Sequence, residues 1–85
     1  MSRFEKLKAR IESCPSDYTY SEAKTFLGQL GFEEGTKGKT SGSRVCFFRE
    51  SDGRIIMLHK PHPSDVMKRG AVRKLLDQLK EWGEI

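Results

Sequence analysis

The stretch "RVCFFRESDGRIIML", Arg44 to Leu58, decides the fold. β-Branched and aromatic residues fill "RVCFFR" and "IIML", the composition of strands. Between them, Glu50-Ser51-Asp52-Gly53 reads as a turn in which Gly53 can take a positive φ at little cost. The stretch is a β-hairpin. Alternation sends Val45 and Phe47 to one face and Cys46 and Phe48 to the other, and Ile55 with Met57 likewise opposes Ile56 with Leu58. Both faces are apolar. The second could be covered by a helix folded back over it, by a second copy of the chain, or by a docked partner. Arg44 and Arg49 rim the hairpin and tip the reading towards a docked partner.

Upstream of the hairpin lies "GTKGKTSGSR", a glycine-rich loop with Lys37, Lys39 and Arg44 and no acid. Before it, Phe4, Leu7, Ile11 and Cys14 recur at helical spacing, and Pro15 stops that helix because proline lacks an N–H and disfavours helix in the residue before it. Thr19 and Glu22 have the spacing of a capping box. Ala23, Phe26, Leu27 and Leu30 follow on one helical face, with Gly31 placed to end the helix in a left-handed turn. A short strand is expected from Phe32 to about Thr36. After the hairpin, Pro61 and Pro63 stiffen "HKPHP" into an extended loop. A last helix starts near Met67 or Arg69, buries Val72, Leu75, Leu76, Leu79 and Trp82, and closes at Gly83. The order is α-α-β-β-β-α. The expected class is α+β, with a three-stranded antiparallel sheet packed on helices.

The 85 residues suit one small domain, residues 1–85. Such a chain encloses no large cavity, so a site must lie on its surface or in a shallow groove. Hydrophobic residues at 35 % and charged residues at 33 % fit a soluble domain. No long apolar run marks a membrane span or signal peptide, so no membrane is expected and the cytoplasm is the expected compartment. Cys14 and Cys46 lie far apart without CxxC or metal spacing, and two reduced thiols, with no metal, are expected.

Charge is segregated. Residues 1–36 sum to −1, residues 37–74 to +7 and residues 75–85 to −2, giving the overall +4. A basic middle is the footprint of a nucleic-acid binder and equally that of a solvated cationic face. Topology favours the first. Antiparallel neighbours begin and finish together, so the loop entering the second strand, the segment "LHKPHPSD" leaving the third, and "MKRGAVRK" opening the last helix meet at one end. Lys68 and Arg69 add full charge where helix N–H groups already favour an anion. Gly38, Gly42 and Ser43 would let backbone approach a phosphate. Histidine as a residue type has an unperturbed pKa of about 6.5, which suits His59 or His62 to proton transfer from a ribose hydroxyl, although either imidazole can equally serve as a plain loop residue. Ser64, His62 and Asp65 are too close in sequence to form a hydrolytic triad.

With these residues in view, the chain from about Thr19 onwards resembles the HicA (YcfA-like) family of toxins from type II toxin–antitoxin pairs. The likeness rests on "SEAKTFLGQLGFEE", on "TSGSRVCFF", on the turn with "IIMLHKPHP", and on "MKRGAVRKLLDQL". It implies a fold similar to double-stranded-RNA-binding domains over residues 19–85, with residues 3–14 an extra N-terminal helix. It also implies mRNA as substrate, metal-independent endoribonuclease cleavage that inhibits translation, no cofactor, and a cognate HicB-like antitoxin over the active face. The expected RNA contacts are Lys37, Lys39, Ser43 and Arg44 before the hairpin and Lys60, Lys68, Arg69 and Arg73 after it. In one respect the chain departs from the family. Members typically carry a histidine, the presumed base, directly after the loop Gly-Ser, and here that place is Arg44. Arginine stays protonated and cannot act as a base. The base is then His62, which matches the family's "PHP", or His59; otherwise the chain binds structured RNA without cutting it. A protein-interaction module with incidental charge is the remaining alternative.

Overall fold

We describe the protein from a computed structural model in which residues 2–35, 44–61 and 63–85 are described. Helix α1 runs Arg3–Glu12, α2 Tyr20–Gln29 and α3 Arg69–Glu81; strands β1 (Glu33–Gly35), β2 (Arg44–Arg49) and β3 (Arg54–His59) lie between α2 and α3. The strands form one antiparallel sheet in the order β1-β2-β3. The expected α+β class and element order hold.

The helix ends follow local chemistry. The Ser2 hydroxyl accepts from Glu5 N–H at the start of α1, and the Thr19 hydroxyl accepts from Glu22 N–H at 3.1 Å at the start of α2. Only half of the expected box forms, because the Glu22 carboxylate takes the Arg10 guanidinium at 2.7 Å and the Thr19 hydroxyl at 3.3 Å. Gly31 (φ 93°) and Gly83 (φ 74°) both end helices in Schellman turns. Phe32 N–H reaches Leu27 C=O at 2.9 Å in the first, and Glu84 N–H reaches Leu79 C=O at 2.9 Å in the second. Helix α1 is shorter than its apolar stripe: Cys14, held before Pro15, leaves the helix at φ 46° while still packing on the core.

The core is one cluster in which Phe47, Ile56 and Leu58 of the sheet meet Phe26, Leu27, Val72, Leu75, Leu76 and Leu79 of the helices. Helix α1 packs on α2 and α3, with Phe4 stacked on Phe26 at 5.6 Å between centroids and Ile11 fully buried. It therefore does not cover the second face of the hairpin, where Ile55 is 58 % and Met57 49 % exposed.

Two polar clusters join distant segments. Asp65 Oδ2 accepts from both the N–H and the hydroxyl of Ser21, while Tyr20 N–H and Met67 N–H bond the carbonyls of Asp65 and Tyr18 at 2.8 Å. These bonds tie the approach to α3 onto the start of α2. At the turn end of the hairpin, the Schellman turn after α3 delivers Glu84 to Arg49 and Arg54; Arg54 Nη1 donates to Glu84 Oε2 at 2.6 Å, and Asp52 also engages both arginines. Arg49 lies over the Phe32 ring at 4.6 Å and Arg54 over Trp82 at 5.0 Å. The guanidiniums hold the Glu84 carboxyl below its usual range and pull that of Asp52 down to about 2.

Two predictions follow from these contacts. The Glu84 side chain is only 10 % exposed, and Glu84→Gln should cost about 2 kcal/mol at neutral pH, or roughly 10 °C in Tm. Carboxyls with depressed pKa values stabilise the fold above the ordinary carboxyl pKa and lose that contribution as pH falls. The wild-type Tm should therefore drop from about pH 4.5 towards 2, with a shallower slope in Glu84→Gln. Separately, the Tyr18 hydroxyl is buried without a hydrogen-bond partner among the described residues, and burial pushes its pKa up. Denaturant unfolding of Tyr18→Phe should show stability unchanged or raised by up to about 1 kcal/mol.

Candidate nucleic-acid interface

The open end of the hairpin carries the site. In the register of β2 with β3, Arg44 stands directly opposite His59, and both are exposed. Directly opposed residues on one sheet face have Cβ atoms about 5 Å apart, so the guanidinium and imidazole share one patch. Along the same face run the Cys46↔Met57 and Phe48↔Ile55 pairs. The Phe48 ring lies across Gly35, where an added Cβ would fall 2.7 Å from it. Glycine there leaves the room that the ring edge occupies beside β1.

Beyond His59 the chain passes over the sheet end to α3. Lys60 Nζ sits 5.9 Å from the centre of the Tyr20 ring. The Tyr20 hydroxyl donates to Glu34, whose pKa that bond lowers, while burial first and then Glu34 raise the phenol's own pKa. Lys68 is the N-cap of α3, makes no side-chain cap bond, and is followed by a first turn without an acid. Anions are favoured there by both the helix dipole and the lysine.

Two clefts meet at this end. One, of about 530 Å³, is lined by His59, Lys60, Pro61, Pro63, Ser64, Val66, Met67, Lys68 and Ala71. The other, of about 410 Å³, runs between β3 and α3 and includes Arg44, His59, Ala71, Lys74, Leu75 and Gln78. They share His59 and Ala71, and among the described residues no carboxylate lines either. Arg44, Lys60, Lys68 and Lys74 make no ion pair among the described residues.

Of the residues expected from sequence, Arg44, His59, Lys60 and Lys68 come together at these clefts. Arg69 and Arg73 line neither; Arg73 pairs along the helix with Asp77 at 3.4 Å. Lys37, Lys39, Ser43 and His62 lie outside the described residues, as do Gly38 and Gly42. Arg49, expected to rim the outer face, is corrected. It stands five positions from Arg44, so alternation turns it to the opposite face, where Glu84 and Asp52 neutralise it. Lys74 was missed. Its place one turn beyond Ala71 on the cleft-lining side of α3 was the signal available.

Fold and site together define a small α+β domain whose sheet ends in a cationic, carboxylate-free groove. The family model described as the HicA toxin of bacterial toxin-antitoxin systems matches residues 20–80, and the chain belongs to that family. No curated protein and no solved structure matches it. Among the described residues no helix is long and apolar enough to cross a membrane.

A prediction concerns Gly35. In Gly35→Ala the Phe48 ring must leave its seat, which should appear as changed ring-current shifts of the neighbouring Met57 and Ile55 methyls, with a stability loss of about 1 kcal/mol or less.

Proposed function

We propose that the protein is a toxin that binds mRNA across its cationic sheet end and cleaves it without a metal. The observation that carries this reading is the Arg44–His59 pair, continuous with the groove of Lys60 and Lys68 and free of lining carboxylates. A ribose–phosphate chain laid there would meet fixed cations and a helix N-terminus along its backbone. In this reading the base has moved one strand across. Arg44 cannot accept a proton but can hold the scissile phosphate, and His59 stands opposite it. His59 would take the proton of a ribose 2′-hydroxyl; the 2′-oxygen then attacks the adjacent phosphorus, the bond from phosphorus to the 5′-oxygen of the next nucleotide breaks, and that oxygen leaves as a hydroxyl with a proton taken from water. The products are a 2′,3′-cyclic phosphate and a 5′-hydroxyl end. His62, three residues on in the sequence, is the other candidate for the base.

Family membership supports the companion proposals. The partner is a HicB-type antitoxin, the compartment is the cytoplasm, and no cofactor is needed. Residues 19–85 are the family core of a single domain, with α1 added in front. Arg69 and Arg73, together with Lys37, Lys39 and Ser43, would extend the phosphate contacts beyond the two clefts.

End-labelled mRNA incubated with the protein in excess EDTA should yield cyclic-phosphate fragments. His59→Ala should slow cleavage by about 10²–10⁴-fold with RNA affinity largely kept. Loss in His62→Ala alone would move the base to His62, and fragments from both variants would sink the assignment of either. Lys60→Ala and Lys68→Ala should each reduce the slope of log affinity against log salt by about 1. A second reading, a non-catalytic binder of structured RNA, rests on the proposal that Arg44, directly after Gly42-Ser43, takes the place where family members carry their base. That reading predicts the same salt dependence with no product at any pH.

A further inference from the structure

The sheet has two edges, and they are unequal. Strand β1 offers three residues, whereas β3 offers six in unbroken register with β2, without proline or bulge. Sheet edges are usually blunted by proline, lysine, bulges or a covering element, because every second residue turns an unpaired N–H and C=O outwards. Here the cleft between β3 and α3 keeps the edge reachable. Its floor is Ile56, Leu58, Ala71 and Leu75, and its cations are Arg44 and Lys74.

We propose that the β3 edge takes up one extended segment of a partner protein as a fourth, added strand. That segment is apolar where it faces Ala71 and Leu75, and acidic where it passes Lys74 and Arg44. Three features select this occupant. The edge presents donors and acceptors alternately, which a peptide backbone matches in kind. A phosphodiester offers only acceptors there and would leave the edge carbonyls without partners. A second copy of the chain brings its own Arg44 and Lys74 into the same cleft, where like charges oppose association. The cleft adjoins the proposed RNA groove through His59 and Ala71, so a strand seated on β3 would also crowd that groove.

The test uses the full chain and a capped six-residue peptide of alternating glutamate and valine. Titration followed by amide hydrogen exchange should show new protection within residues 54–59. Lys74→Glu should weaken binding about tenfold and bind a lysine–valine analogue better than the wild type does. A fully N-methylated peptide, unable to donate to the edge, should not bind. Protection elsewhere, no binding at millimolar peptide, or equal binding of the N-methylated peptide or of Lys74→Glu would overturn the proposal. So would β3 protection that grows with protein concentration alone, which indicates a second copy, or that arises with an RNA oligonucleotide and not with the peptide. Cleavage assays on Lys60 and Lys68 variants read the RNA groove separately, so failure of one reading is distinguishable from failure of the other.

Discussion

The pairing register of β2 with β3 is the constraint on which the rest of the molecule depends. With Phe47 opposite Ile56 and Val45 opposite Leu58, the apolar set faces the helices. The same register sends Arg44 and His59 to the solvent face at one end and sets Arg49 beside Arg54 at the other. Because side chains alternate with period two, a slip of one residue in either strand would turn Phe47 or Ile56 outwards and push Arg44 or His59 towards the core. Burial of these side chains, at about 1.5–3 kcal/mol each, makes such a slip prohibitive. The position of the cationic site is thus a by-product of core packing, fixed by the buried residues Phe47, Ile56 and Leu58.

The family match ends short of the core that this chain builds. Ile11, Tyr18, Trp82 and Glu84 lie outside residues 20–80, yet the first two are fully buried and the last anchors the hairpin turn. Phe4 covers Phe26, a residue inside the match, and Arg10 clamps Glu22 at the start of α2. Helix α1 therefore shields the side of α2 and α3 that faces away from the sheet. Among the described residues the exposed large apolar side chains are then Ile55 and Met57 on the outer sheet face and Val66 before α3.

Much of this was legible in sequence, for local reasons. The apolar spacing of α2 and α3, the Thr19 cap, and the glycines at 31, 53 and 83 each answer to a few neighbouring residues, and each stands where the pattern put it. The gathering of Arg44, Lys60 and Lys68 also followed, because antiparallel topology alone brings those segments to one end. What stayed hidden depends on partners far along the chain. Arg49 looked like a free cation until Glu84, thirty-five residues on, was folded against it. Asp65, a loop acid in the sequence, proved to cap α2 through Ser21. Strand register could not be read either, and with it the direct opposition of Arg44 and His59.

The distribution of ion pairs explains why the two ends of one hairpin behave so differently. Both ends carry arginine. At the turn end, Asp52 and Glu84 bracket Arg49 and Arg54, and aromatic faces of Phe32 and Trp82 back the guanidiniums, so the charges there serve stability. At the open end, Asp65 bonds Ser21, and Glu34 bonds Tyr20 and Lys24 and also attracts Lys60. Among the described residues Arg44, Lys60, Lys68 and Lys74 are exposed and form no ion pair, although the Glu34 charge is felt by Lys60. Unpaired cations gathered on one rim repel one another and weaken the isolated fold. An anionic chain laid across them, as proposed for RNA, would offset that repulsion, whereas at the turn end the protein already supplies the neutralising carboxylates itself.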